Sequence, residues 1–259
     1  MGWKTSMILI ENRYDFKDDS ALLKAIEKAN YEFDSEVSLE ESLYPNDASI
    51  NIGYYNNTII ICDDYQLTGN TIERSDRLNL TAEETALVSM FPHAEILSVA
   101  CQSVVNFHGY SLIKRGLKTR LKIAVDGEII EHGEPFEEEQ KIYASSFTKN
   151  GNRYWKDENY PEDEPYTEDS LMEDFTFGVA KRHLGVLLDS EEGEELLEKV
   201  VLRKYKNPNA TPEKLPTFKM RTLEEEASYN KRAKWIKYVI YFIIFLVILY
   251  VRSCMERQK

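Results

Sequence analysis

EILSVACQSVVNFHGYSLIKRGLKTRLKIAVDGEII, residues Glu95–Ile130, is the densest β-forming stretch of the chain. Three extended segments are expected in it: EILSVACQSVVNF, GYSLIKRG and LKTRLKIAVDGEII. Arg115-Gly116 and Asp126-Gly127 are the turn signals, the second the stronger because Asp-Gly accepts positive φ at both central positions. Ile96, Val99, Val104 and Val105 read as core. Leu121, Ile123 and Val125 alternate with Lys122 and Ala124, as in a strand buried on one face and exposed on the other.

Upstream, Ser49–Tyr55 and Thr58–Cys62 pair as a hairpin through Asn56-Asn57, since Asn tolerates the left-handed turn conformation. TIIIC is wholly apolar and reads as central. Lys4–Ile10, KTSMILI, reads as a buried first strand. Asp18–Asn30 has Leu22, Leu23, Ile26 and Ala29 at helical spacing, with Asp19 or Ser20 as the cap. Thr81–Phe91 carries a capping box from Thr81 to Glu84 and stops at Pro92.

Downstream, the chain turns acidic and loop-like after Gly133. Ser170–Leu188 reads as a helix with a box from Ser170 to Glu173. Ser190–Lys199 reads as another helix, and Val200–Lys206 as a closing strand. These elements predict an α+β domain over 1–206, with helices packed on a mostly antiparallel sheet of five to seven strands. A Pro-containing linker follows at 207–221, then a helix at 222–234 opened by a capping box from Thr222 to Glu225.

Tyr238–Val251, YVIYFIIFLVILYV, has no charge, Pro or Gly and is apolar on every face. Alone it covers about 21 Å of a hydrocarbon core about 30 Å thick. Trp235 and Ile236 extend it upstream, Ser253 and Cys254 downstream, and Lys237 and Arg252 can keep their charges at the headgroups. Trp235, Tyr238, Tyr241 and Tyr250 suit the two interfaces. Residues 235–254 are therefore expected to form a single C-terminal transmembrane helix, the contact with the lipid bilayer, followed by a short polar tail at 255–259. The apolar stretch of the opening MGWKTSMILIENR reaches Glu11 too soon for a secretory signal, so the large domain is expected to stay cytoplasmic.

The formal net charge is −13, which repels phosphate backbones and argues against nucleic-acid binding. Cys62, Cys101 and Cys254 are far apart and give no disulfide framework or zinc motif. No glycine-rich phosphate loop, Walker pattern or nucleophile elbow occurs, and no cofactor is implied.

The opening MGWKT, YPND at Tyr44–Asp47, SVVNFHGYSL at Ser103–Leu112 and DGEIIEHGEPFEEE at Asp126–Glu139 together resemble an uncharacterised bacterial family. Its members open with Met-Gly-x-Lys-Thr and carry a Gly-Glu-Pro turn before acidic residues. The resemblance spans roughly Met1–Asp189. It implies a bacterial source, hence the plasma (inner) membrane as the bilayer. It implies no activity, because the family's function is unknown, and its usual members lack the tail.

Two site candidates stand out. Cys101 with His108 or His132 would make a thiol–imidazole pair, but Cys101 falls mid-strand, where a buried inert thiol is the usual outcome. Asp63 and Asp64, at a strand end, would hold a metal, although capping is the commoner use of such acids. Two functions remain: a membrane-anchored interaction module with an acidic surface for a basic protein partner, or an enzyme, hydrolase or thiol-dependent, with its site scattered among strand ends. A concave polar pocket around Asp63, Asp64, His132 and Glu134 would favour the enzyme.

Overall fold

In a computed structural model, which describes residues 2–44, 47–72, 77–125, 127–156 and 164–209, the apolar first strand lies near the middle of a large sheet. The elements in chain order are β1 (Lys4–Glu11), α1 (Asp19–Ala25), β2 (Glu32–Ser38), α2 (Leu39–Ser42), β3 (Ile50–Tyr55) and β4 (Thr58–Cys62). Then come α3 (Gln66–Ile72), α4 (Ala82–Met90), β5 (Glu95–Gln102), β6 (Phe107–Lys114), β7 (Leu117–Val125), β8 (Glu128–Gly133) and α5 (Glu137–Ala144). The last are β9 (Phe147–Lys149), β10 (Asn152–Tyr154), α6 (Met172–Leu184), α7 (Glu191–Lys199) and β11 (Val201–Lys206). Nine strands form one sheet in the order β2-β11-β3-β4-β1-β5-β6-β7-β8, and β9-β10 is a separate ribbon. Every neighbouring pair is antiparallel. The class is α+β.

Strand alternation sorts side chains onto two helix-covered faces. Met7, Leu9, Ile60, Leu97, Val99 and Leu112 pack with residues of α2, α6 and α7 on one face. Ile8, Ile10, Ile59, Ile61, Ile96 and Ile113 pack with α1 and with Leu87 of α4 on the other. Because both faces are covered, β1 and β4 are buried on successive residues rather than on alternate ones, with continuous apolar runs at Met7–Ile10 and Ile59–Cys62.

Several expectations hold. Asn56 and Asn57 have φ of 47° and 54° and turn β3 into β4. The box at Thr81 is formed: Glu84 N–H donates to Thr81 Oγ1 at 3.3 Å, and Thr81 N–H to Glu84 Oε2 at 2.9 Å. Other expectations are corrected. The sheet has nine strands, not five to seven, partly because β2 is a polar edge strand with no buried residue to mark it in sequence. Helix α1 ends at Ala25, and its cap is Asp18 rather than Asp19 or Ser20. Asp19 is instead buried, accepting from the Tyr54 and Tyr205 hydroxyls, each at 2.5 Å, and pairing with Arg203 Nε at 2.9 Å.

The segment EILSVACQSVVNF is broken by a 3-10 turn at Ser103–Val105 that reverses the chain through Asn106 at φ 47°. Val104 and Val105 are consequently 71% and 39% exposed, not core. The acidic segment after Gly133 is helical from Glu137. The expected box from Ser170 to Glu173 does not form. Ser170 lies in a 3-10 turn (Glu168–Leu171), and the Glu173 carboxylate accepts from Ser103 Oγ at 2.7 Å instead.

Strand β7 is not half-exposed; its cations are buried. An irregularity opposite Leu112/Ile113 makes residue 118 the partner of Ile113 and residue 120 the partner of Leu112. Lys118 meets Glu84 at 2.8 Å and the Thr71 carbonyl at 3.1 Å, on the side of α3 and α4. Arg120 donates to Glu139 of α5, at 2.9 Å from Nε and 2.5 Å from Nη2. Lys122 is bound by Glu168 and Tyr143 and lies 3.6 Å from the Phe175 ring centre.

Apart from residues 207–209, the expected linker at 207–221 lies outside the described residues, as do the expected helices at 222–234 and 235–254 and the tail at 255–259. Among the described residues no helix is long and apolar enough to cross a membrane.

Removing one partner of a buried ion pair strands the other charge and costs about 3–5 kcal/mol, whereas an apolar pair of similar volume is close to neutral. Glu139→Leu leaves Arg120 with the half-exposed Glu131, at 2.6 Å, as its remaining carboxylate, so it should destabilise the domain by up to about that amount, and Arg120→Met with Glu139→Leu should recover most of the loss. Denaturant midpoints at constant m-value check this. A double variant as unstable as the single one would show that the pair does not act as a unit.

Candidate functional site

Antiparallel pairing gathers alternate strand ends at opposite edges of the sheet. The end of β1, the β3–β4 turn, the start of β5 and the end of β6 share one edge, marked by Glu11. There they form a cavity of about 720 Å³. Its wall is completed by Glu138 of α5 and by Arg182 and His183 in the last turn of α6.

Four cationic side chains line it, Arg13, Lys114, Arg115 and Arg182, against three carboxylates, Glu11, Glu95 and Glu138, with His93 and His183 beside them. Glu95 is the hub. Arg182 binds it directly, Lys114 Nζ lies at 3.3 Å and the buried His183 Nε2 at 3.3 Å. Arg182 also reaches Glu138 at 3.0 Å, and Arg13 pairs with Glu11 at 2.8 Å. Burial opposes ionisation of Glu95, but His183, Arg182 and Lys114 outweigh it and hold the carboxyl down at about 2. Arg115 differs: it is exposed, makes no ion pair among the described residues and sits at φ 51° in the β6–β7 turn beside Gly116 at φ 75°.

The sequence-based candidates lie elsewhere. Cys101 and His108 are cross-strand partners on β5 and β6, at the edge opposite the cavity. Their side chains stand with that of Glu173 in one group whose ligand atoms all lie within 4.8 Å of one another. Burial pushes the Cys101 thiol up to about 11 and the His108 imidazole down, the latter against the pull of Glu173 and Asp169. His132 is not part of the group. It is on β8, two strands beyond His108, opposite Leu121.

Asp63 is buried and accepts from Ser6 Oγ at 2.8 Å and from the Leu67 N–H at 2.6 Å, so it fixes the first turn of α3. Desolvation raises its carboxyl, and Asp64 beside it is half-buried with its own carboxyl raised for the same reason. β4, which Asp63 follows, and β8, which holds His132, are five strand spacings apart, roughly 24 Å. Asp63 and Asp64 therefore do not share one concave surface with His132 and Glu134, the arrangement that would have favoured the enzyme reading.

Sequence reasoning missed the cavity because its residues come from segments near 11, 56, 93, 114, 138 and 182. The one local signal was Arg115-Gly116: Gly or Asn is the usual occupant of a left-handed position, and a long cation there points to use of the side chain. No family model, curated protein or solved structure matches the chain.

Glu95 gives the cavity a pH signature. Its carboxyl is depressed in the fold relative to 4.5, so its stabilisation is full above pH 4.5 and is lost as pH falls through about 2. That contribution is about 3 kcal/mol. Urea unfolding at stepped pH should show the wild type losing stability across this window, with Glu95→Gln flatter there. Parallel curves would mean that the carboxylate is not held by its cations.

Proposed function

We propose that the chain is a membrane-tethered binding domain whose cavity takes a small ligand bearing a carboxylate or phosphate group. The observation that carries this is the gathering of four cations into one concavity in a chain of net charge −13. Three of them are already paired with cavity carboxylates, which fixes their positions. Arg115 remains to receive the ligand's charge, with a planar fork suited to bidentate contact with such groups. Asn56 and Asn57, at the rim, supply neutral donors and acceptors.

The tether is the apolar run within residues 235–254, and the domain faces the cytoplasm. The bacterial resemblance makes the plasma membrane the bilayer in question. In a wild-type lysate without detergent, the full chain should pellet at high speed, and a chain ending at Glu226 should stay in the supernatant. Full-length protein in the supernatant would remove the tether.

A second reading, an acidic surface that docks a basic protein, has its own support in α7. The exposed positions of that helix include Glu191, Glu192, Glu194, Glu195 and Glu198. Such docking would weaken steeply with salt.

The cavity reading is tested at Arg115. Thermal unfolding with inorganic phosphate, citrate and malonate should show an anion-dependent rise in Tm. Arg115→Gly should weaken the responding anion at least about tenfold, the value of one charge-assisted contact. The same substitution should leave the unliganded fold as stable or slightly more so, since glycine accepts the left-handed turn without strain. A Tm that none of the three anions raises, or an equal rise in the variant, would overturn the proposal.

A further inference from the structure

The edge of the sheet opposite the cavity carries a separate constellation, and we propose that it is a site for a first-row divalent metal ion of the zinc class, held by Cys101, His108 and Glu173. The three side chains offer one sulfur, one imidazole nitrogen and one carboxylate oxygen, all within 4.8 Å of one another. That is the donor mixture and spacing a borderline-soft ion closes on, and three protein ligands leave a fourth position open.

Each ligand is fixed by a different part of the fold. Cys101 and His108 are directly opposed on β5 and β6, which puts both side chains on the face covered by α6. Glu173 comes from the first turn of α6 and is oriented by Ser103 Oγ, which donates to it at 2.7 Å and lies 3.5 Å from Cys101 Sγ. This is the outer-shell support that ligating carboxylates require.

A second observation points to a missing partner. His108 is 4% exposed, and its Nδ1 is buried without a hydrogen-bond partner among the described residues. Glu173 is only half-buried, so the group can be reached from solvent on that side. Binding is balanced by release of the Cys101 thiol proton to solvent as the sulfur becomes a thiolate ligand.

The full-length protein in detergent, stripped with a chelator, is titrated with Zn²⁺ against a chromophoric competitor, and separately with Co²⁺. The expected results are one Zn²⁺ per chain and a thiolate-to-cobalt charge-transfer band. Cys101→Ser should abolish that band, and Glu173→Gln should weaken Zn²⁺ at least about tenfold. Glu173 is the decisive position if the core variants fail to fold, because it is partly exposed; circular dichroism confirms its fold. Absence of stoichiometric Zn²⁺ in the folded wild type, or undiminished binding by folded Glu173→Gln, would leave only a polar core cluster and overturn the proposal.

Discussion

Three cations on β7 set the terms on which the layers meet. Lys118, Arg120 and Lys122 are each no more than 4% exposed, and none can stay charged in an apolar layer without a partner. Each is met by a carboxylate from outside the sheet: Glu84 from α4, Glu139 from α5, and Glu168 from the turn before α6. The pairs contribute little net stability compared with hydrophobic substitutes. Their effect is to penalise wrong docking, since a helix shifted by one turn would withdraw its carboxylate from a buried cation. The irregularity in β7 sends Lys118 to one face and Arg120 and Lys122 to the other, so a single strand registers helices on both sides of the sheet.

That arrangement explains where the sequence was readable and where it was not. Local chemistry was legible: the Asn56-Asn57 turn and the Thr81 box need only neighbouring residues, and both occur as read. The antiparallel α+β class followed from the apolar segments around β1, β4 and β5. Features decided by distant partners were opaque. Lys122 looked solvent-facing because sequence cannot show that Glu168, Tyr143 and Phe175 will enclose it. Val104 and Val105 looked like core because nothing local announces that the chain reverses at Asn106. The Ser170 box failed because Glu173 had a better use across the fold, on Ser103.

Both proposed sites follow from the same antiparallel geometry. A hairpin strand returns to the edge it left, so sequence-distant turns accumulate at each end of the sheet. At one end this collects the pairs around Glu95, whose charges fix one another and leave Arg115 over. At the other it opposes Cys101 and His108 and brings the start of α6 over them. The pairing of Cys101 with His108 was visible as a possibility in sequence, but its third member was not. Glu173 lies seventy residues downstream of Ser103, and it joins the group because a helix, not a neighbouring strand, delivers it.

The two ends also differ in how they treat charge. The Glu95 end is open and already neutralised pair by pair, so a ligand arriving there exchanges little desolvation for a contact with Arg115. The Cys101 end is largely buried, reached from solvent past the half-buried Glu173, and uncompensated: a thiol and an imidazole sit under a carboxylate, with one buried ring nitrogen left over. Desolvation holds the first two neutral, and a bare divalent ion there would reverse that preference by supplying the charge that water no longer screens. An open, prepaired edge suits reversible exchange of a small anion. A largely buried edge with mixed donors suits a partner that stays, and its position between β5, β6 and α6 means that such a partner would also tie the sheet to its helical layer.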